Sequence, residues 1–312
     1  MPFIRYVKKR FSPECQAIID HANRIIEDHA NKGFTLTLRQ LYYQFVGEAL
    51  IPNTERSYKN LGNVINNARL AGLVDWDAIE DRMRSMVQNS HWAGPDDIVD
   101  TCSRQFQYDK WLRQSIRVEC WVEKDALVGV LASVCQPLDV PYFACRGYTS
   151  QSEMWRASQR FRGFIEDDEQ EVLILYLGDH DPSGLDMTRD VKDRLELFLG
   201  PKSAELLRVK RLALNMNQIE EYEPPPNPAK VTDSRSGPYM EEFGDESWEL
   251  DALDVTVLAD LIRENILDVR DDETWEESIA EENKAKEELS QVSANWQGIT
   301  GWLKTQERRR KK

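Results

Sequence analysis

The chain has 312 residues, 41% of them hydrophobic and 30% charged, with a formal net charge of −15. This is material for two ordinary globular domains, and so large an acidic excess excludes a polyanion binder that works through a global positive field. The excess is local, because residues 241–290 hold 19 acidic against 4 basic side chains; the remainder sums to zero, and any nucleic-acid contact would use local basic surface.

No run approaches the ~20 apolar residues of a membrane span, so no membrane association is expected. The opening MPFIRYVKKRFSPE is basic but has no apolar stretch after it, so no signal peptide is expected. Five cysteines (Cys15, Cys102, Cys120, Cys135 and Cys145) are scattered and form no CxxC. Reduced thiols and a cytoplasmic location follow as the expectation.

The first ~90 residues read as mainly helical by their apolar spacing. FSPECQAIIDHANRIIEDHANKG places Ala17, Ile18, Ala22, Ile25 and Ile26 at helical intervals and stops at Gly33. Thr37 can cap TLRQLYYQFVGEAL, and after Pro52 and Asn53 a second cap, Thr54, opens ERSYKNLGNVINNARLAG. LVDWDAI follows as a short strand. Helix, turn, amphipathic helix and strand together predict a winged helix-turn-helix. The exposed face of its second helix would carry Lys59, Asn60, Asn63, Asn66 and Asn67, side chains suited to base edges and phosphates.

From residue 115 strands and helices alternate: SIRVECWVE, KDALVGVLASVCQ, DVPYFAC, SQSEMWRASQRFRGFIED, EVLILYL, SGLDMTRDVKDRLELFLG and RVKRLAL. That order predicts an α/β fold with a parallel sheet. PPPNPAKVTDSRSGP (224–238) is irregular, and the acidic window after it is expected to be a solvated helical extension.

Glu123 closes the first of these strands, and Asp179 and Asp181 follow the third in LGDHDPSGLD. In a parallel sheet such residues gather at the carboxyl edge, where sites form. Three carboxylates there would repel one another, and a hard cation that keeps some of its waters resolves the repulsion. His180, between the two aspartates, would point away from such a site. There is no Walker motif, HExxH or GxGxxG, so no ATP engine is encoded in the chain.

WVEKDALVGVL followed 56 residues on by the Asp-x-Asp-Pro-x-Gly loop resembles the Toprim domain of topoisomerases, primases and related nucleases. Within that superfamily it is most similar to the A-type, DNA-cleaving component of topoisomerase VI, over roughly residues 113–215, in a compact form of the kind found in microbial and mobile-element genomes. ESWELDAL (246–253) resembles a later stretch of that component. CRGYTSQSEMWR (145–156) resembles its Gly-rich segment but lacks the Pro-Asp after Gly-Tyr, which leaves Gly147 and Arg156 without a role. The resemblance implies Mg²⁺ held by Glu123, Asp179 and Asp181, with Glu123 also a candidate general acid/base and Lys124 a DNA contact.

TLRQLYYQF places Arg39 four residues before Tyr43, on one helix face. Reversible strand breakage stores the bond energy in a covalent link, usually to a tyrosine, and a cation beside the phenol helps a weak nucleophile. The string is similar to the family's Arg-x-x-aromatic-Tyr motif, which makes Tyr43 the nucleophile, Tyr42 a packing partner and Tyr58 its rival. The expected organisation is a tyrosine-bearing winged-helix domain over 1–105 and a Toprim domain with an acidic helical extension over 106–312. The resemblance further implies a homodimer acting on DNA and, as the usual partner, a GHKL-type ATPase. Two alternatives stay open: a Toprim nuclease that uses an activated water, and a non-catalytic DNA-binding regulator. A primase is disfavoured because no zinc-binding Cys/His cluster accompanies the α/β part.

Overall fold

The structure, a computed structural model, describes residues 3–80, 89–228 and 235–310. The chain divides into two compact units, one made of Met1–Arg84 and Ile116–Val269, the other of Ser85–Ser115 and Arg270–Lys312. The N-terminal helices and the α/β part therefore share the first unit.

In that unit α1 (Pro13–Asn31) starts behind Ser12, whose hydroxyl accepts the Cys15 N–H at 3.2 Å, and buries Ile19, Ala22 and Ile25. Gly33, at φ +85°, ends it as the sequence predicts. β1 (Leu36–Thr37) leads into α2 (Leu38–Gly47), where Thr37 and Gln40 form a reciprocal capping box. Such a cap contributes about 1 kcal/mol and sets where the helix begins, hence which face Arg39 and Tyr43 occupy. Leu41, Tyr42, Tyr43 and Phe45 are buried along it. α3 (Glu55–Leu70) opens at Thr54 and packs through Leu61, Ile65 and Ala68, a stripe at four- and three-residue spacing. The strand expected over LVDWDAI (73–79) is not formed there except at its last residue: β2 (Ile79–Glu80) begins at Ile79 and pairs in parallel with β1, Leu36 opposite Ile79. The next helix, α4 (Pro95–Gln105), belongs to the second unit.

The α/β part runs β3 (Ile116–Val122), α5 (Val128–Cys135), β4 (Tyr142–Ala144), α6 (Gln151–Glu166), β5 (Glu171–Leu177), α7 (Pro182–Leu199), a short α8 (Pro201–Ala204) and β6 (Leu207–Ala213). The four strands form one parallel sheet in the order β4-β3-β5-β6. β3 and β5 are buried along six consecutive residues each, as expected of strands covered on both faces. Trp121, Ile174 and Tyr176 pack with Met154 and Phe161 of α6 and Val191 and Leu195 of α7. Burial of side chains of this size contributes roughly 1.5–3 kcal/mol each. Glu119, buried in β3, is neutralised by a two-pronged contact from Arg160 at 2.8 and 2.9 Å. β3 and β5 end in register, Val122 opposite Leu177, so the residues after each strand emerge side by side.

After β6 come α9 (Met216–Tyr222), β7 (Asn227–Pro228), α10 (Ser236–Phe243), β8 (Glu246–Ser247) and α11 (Val255–Leu267). β8 pairs antiparallel with β7, and α11 packs against α5 and β6. Within the acidic window Glu241, Glu242, Asp245 and Glu246 are exposed, as a solvated stretch would have them, but Asp251 is buried and Glu249 half-buried, because cationic side chains of the same unit neutralise them.

Asp254, which caps α11, faces His29 of α1 at 3.5 Å, and the other ring nitrogen of His29 meets Ile25 O at 2.8 Å. Burial pulls the His29 pKa down, but Asp254 more than offsets it and the net shift is upward from 6.5. Asp254 is held below its ordinary 3.8; burial opposes this and His29 and Thr256 outweigh it. The His29 contribution to stability is therefore complete below pH 6.5 and is lost as pH rises through the raised value. The Asp254 contribution is complete above pH 3.8 and is lost only as pH falls through its depressed value. Urea melts of the parent and of His29→Gln at pH 6 and pH 8.5 should show a stability gap at pH 6 that narrows at pH 8.5. An unchanged gap would assign His29 to packing alone.

The second unit packs α4 on α12 (Asp272–Ala294), and α13 (Trp296–Arg310) follows. Lys110 Nζ lies 2.7 Å from Glu282, which also accepts the Tyr108 N–H at 3.0 Å. The Gln114 side chain pairs with both backbone groups of Asp271, at 3.0 and 2.7 Å. Among the described residues no helix is long and apolar enough to cross a membrane.

Candidate active site

Glu123 and the 178–184 loop meet at the carboxyl edge of the sheet. Glu123 N donates to Leu177 O at 2.8 Å, and Glu123 Oε2 accepts the Asp179 N–H at 3.0 Å. Asp181 sits one step further on as the N-cap of α7, its Oδ1 accepting the Gly184 N–H at 2.6 Å and the Ser183 hydroxyl at 3.0 Å. Local chemistry thus fixes two of the three predicted carboxylates: one stabilises a strand-end turn and the other caps a helix.

Two groups hold the loop from outside. Arg211, from β6, donates to Gly178 O at 3.0 Å, Asp179 O at 2.5 Å and Gly184 O at 3.1 Å. The antiparallel bridge between His180 and Trp248, at 2.8 and 2.9 Å, ties it to the 246–253 segment. His180 is turned away from the carboxylates, as expected, into Tyr239, Phe243 and Trp248. Burial, then Arg211, pushes its pKa down to about 4, so the ring is neutral. Packing of α7 on the loop is tight: a Cβ on Gly184 would lie 2.2 Å from Asp179 O. Gly184→Ala should therefore push α7 off the loop and cost at least about 1–3 kcal/mol, measured by urea melts. A variant as stable as the parent would show that the helix start gives way freely.

The 246–253 stretch adds two acids that the three-carboxylate reading lacks. Leu250 N donates to Asp179 Oδ1 at 2.7 Å. The Lys124 ammonium lies 2.9 Å from Asp179, 2.8 Å from Glu249 and 2.9 Å from Asp251. Arg39, from α2, contacts Glu249 and reaches Asp251 with Nε at 2.7 Å. Lys124 spends its charge inside the cluster in place of projecting to solvent. Burial opposes its charged form, but Asp251, Asp179 and Glu249 raise its pKa. Burial also works against ionised Glu249, yet Lys124 and Arg39 bring it down to about 2. Asp179 is pushed up to about 7, by burial first and by Glu123 against the pull of Lys124. Glu123 is raised as well, by burial and by Asp181.

Tyr43 is buried beside this cluster, its ring 5.7 Å from the Arg39 guanidinium carbon. Burial, then Asp251 and Glu249, push its pKa up to about 12, against Arg39 and Lys124. The phenol is therefore protonated and a weak nucleophile as it stands. On α3, Lys59, Asn60, Asn63 and Asn66 are exposed. Lys59 pairs with Glu55 at 2.6 Å, and Asn67, half-buried, accepts from Lys9. Arg69, the other basic side chain of that helix end, stacks on Trp76.

For Mg²⁺ the donor set fits in kind. Glu123, Asp179 and Asp181 offer hard oxygens, each with one carboxylate oxygen engaged by a loop or helix N–H. The fit is in chemistry and not in assembly: among the described residues no three acidic, His or Cys groups converge closely enough to hold a metal ion as they stand. Of the three carboxylates, the Lys124 ammonium pairs with Asp179.

No family model matches this sequence, and no curated protein matches it either. Sequence reasoning missed Glu249 and Asp251 as members of the cluster and Arg211 as its clamp. The ESWELDAL resemblance was a signal for the first two; a lone arginine in a strand carried none for the third.

Proposed function

We propose that this chain cleaves DNA by Mg²⁺-dependent transesterification through Tyr43, in the manner of the A-type, DNA-cleaving component of a type IIB topoisomerase. The observation that carries the reading is the continuous ionic path from α2 to the carboxylates: Arg39 to Glu249 and Asp251, these to Lys124, and Lys124 to Asp179. Two stretches separated by about 140 residues of sequence, each of which the resemblance assigns to strand breakage, contribute to one ionic cluster. Glu123 after β3 and the Asp179–Asp181 loop after β5 of a parallel sheet support a Toprim assignment. α1–α3 with the β1–β2 pair support a winged-helix one.

In the reaction, Tyr43 Oη forms a bond to the scissile phosphorus and the P–O3′ bond breaks. The phenolic proton departs and the 3′ oxygen takes one up, leaving a 5′-phosphotyrosyl link and a 3′ hydroxyl; religation is the reverse. Arg39 would screen the phenoxide and the phosphate, and the resemblance makes Glu123 the group that moves a proton. When bound by Glu123, Asp179 and Asp181, Mg²⁺ supplies positive charge for the phosphate oxygens. Lys59, Asn63, Asn66 and Asn67 on α3 would contact the duplex. A homodimer and a GHKL-type ATPase partner rest on the resemblance alone.

The burial of Tyr43 favours one rival, a Toprim nuclease in which an activated water attacks and Tyr43 only packs. A plasmid assay with Mg²⁺, stopped by detergent with and without protease, separates the readings. Breaks with protein attached to the 5′ end support transesterification. Protein-free ends favour hydrolysis, and intact plasmid favours a non-catalytic DNA binder.

A further inference from the structure

A cavity of about 310 Å³ opens beside Tyr43, between the α2–α3 turn on one side and Asn227 and Glu249 on the other. Tyr42, Tyr43 and Tyr58 line it with Asn53 and Asn227, and the charged Arg39, Glu55 and Glu249 line it too. Of its lining, the reaction just described uses Tyr43 and Arg39; Tyr42, Tyr58, Asn53 and Asn227 have no part in it.

Its lining is prearranged. The Tyr42 ring meets Tyr43 edge-on at 5.3 Å and Tyr58 at 5.4 Å. Tyr42 Oη donates to Asn53 Oδ1 at 2.9 Å, and Asn53 Nδ2 donates to Asn227 Oδ1 at 2.7 Å. The amide chain still has N–H donors to offer after these bonds, since each amide nitrogen carries two hydrogens. The bordering charges are matched: Arg39 by Glu249, and Glu55 by Lys59. A pocket with no net positive charge is a poor phosphate site. Aromatic rings beside fixed amides instead suit a flat, uncharged, hydrogen-bonding ligand, because bases stack on aromatic side chains and asparagine amides read their edges.

We infer that this cavity receives a single nucleobase of the DNA strand, unstacked next to the phosphate that Tyr43 attacks. The inference rests on the DNA-cleavage reading and deepens it. It makes Tyr58, Asn53 and Asn227 binding residues that select or hold the nucleotide at the cut, and it gives Tyr58 a role other than that of nucleophile. Extrusion of a base would also draw the neighbouring backbone toward α2.

The test compares the full chain's affinity for two single-stranded dodecamers of equal charge, one with bases and one built of abasic sites. Chelator replaces Mg²⁺, so no strand is cut. Stacking of a base in a preformed aromatic site predicts at least about tenfold tighter binding of the base-bearing strand. Tyr58→Leu and Asn227→Ala should each shrink that preference to about twofold with abasic binding unchanged, whereas Tyr58→Phe should keep it. Circular dichroism melts check that the variants fold. Equal affinity for the two strands overturns the inference, as does a preference that survives both Tyr58→Leu and Asn227→Ala. Tyr43→Phe keeps the ring, so a retained base preference beside a lost covalent adduct separates this site from the chemistry. Failure to bind either strand also overturns the inference, and the plasmid assay with Mg²⁺ then decides the DNA-cleavage reading separately.

Discussion

Tyr43→Phe is expected to lower formation of a covalent protein–DNA adduct by ~10³-fold or more, as removal of a nucleophile does in other covalent enzymes, while changing stability by about 1 kcal/mol or less. The ring is buried against Tyr42, and Phe preserves that packing. The change removes an oxygen that burial and the neighbouring acids hold protonated, with a pKa of about 12. Its loss therefore disturbs little in the resting protein and abolishes only the step that needs it. The contrast between a silent effect on folding and a large one on adduct formation is the signature of a nucleophile. A variant that still forms adducts at the parent's rate would move the nucleophile elsewhere, with Tyr58 the nearest alternative. A variant that still cuts, without adducts in either protein, would leave Tyr43 as a packing residue of a hydrolytic nuclease.

The second large effect concerns Lys124. Its ammonium is the shared partner of Asp179, Glu249 and Asp251. Removal of one partner from a buried charged cluster costs about 3–5 kcal/mol, because the remaining charges are left uncompensated. Lys124→Met should show a loss of that order in urea melts at neutral pH and low divalent ion. Under the proposed function the vacated cluster is more strongly anionic, so Mg²⁺ should restore stability more in the variant than in the parent. A ligand that binds only the folded state adds about 2.7 kcal/mol at a concentration of 100 times its Kd. A thermal shift with Mg²⁺ that is no larger in the variant than in the parent would argue that Lys124 does not occupy the place of a cation.

Much of the local structure was legible because single residues decide it. Thr37 and Gln40 announce the start of α2, Thr54 that of α3, and Asp181 with Pro182 that of α7. The apolar run of β5 announces a covered strand, while in β3 the alternation of strands and helices has to do so because Arg117 and Glu119 interrupt its apolar residues; the sheet then places Glu123 beside Asp179. What stayed hidden depends on contacts far apart in sequence. The return of residues 246–253 to the loop is made by backbone bonds of His180 and Trp248, and backbone groups leave no mark on the sequence. The same holds for the pairing of Gln114 with Asp271, which draws residues 85–115 into a unit with the C-terminal helices. The resemblance makes Lys124 a DNA contact, but Asp179, Glu249 and Asp251 hold its ammonium inside the cluster. An acidic window read by charge alone likewise looks solvated, although its Glu249, Asp251 and Asp254 are the partners of Arg39, Lys124 and His29.

The central claim joins Tyr43 to the Glu123, Asp179 and Asp181 carboxylates in one reaction. Its most direct measurement is the identity of the amino acid attached to DNA. Plasmid is cut with Mg²⁺, the reaction is stopped in detergent, the adduct is digested with nuclease and protease, and the modified peptide is sequenced by mass spectrometry. The account predicts a nucleotide phosphate on Tyr43, with no modified peptide from Asp179→Ala. A phosphate on any other residue, or cut DNA that carries no peptide at all, would contradict it.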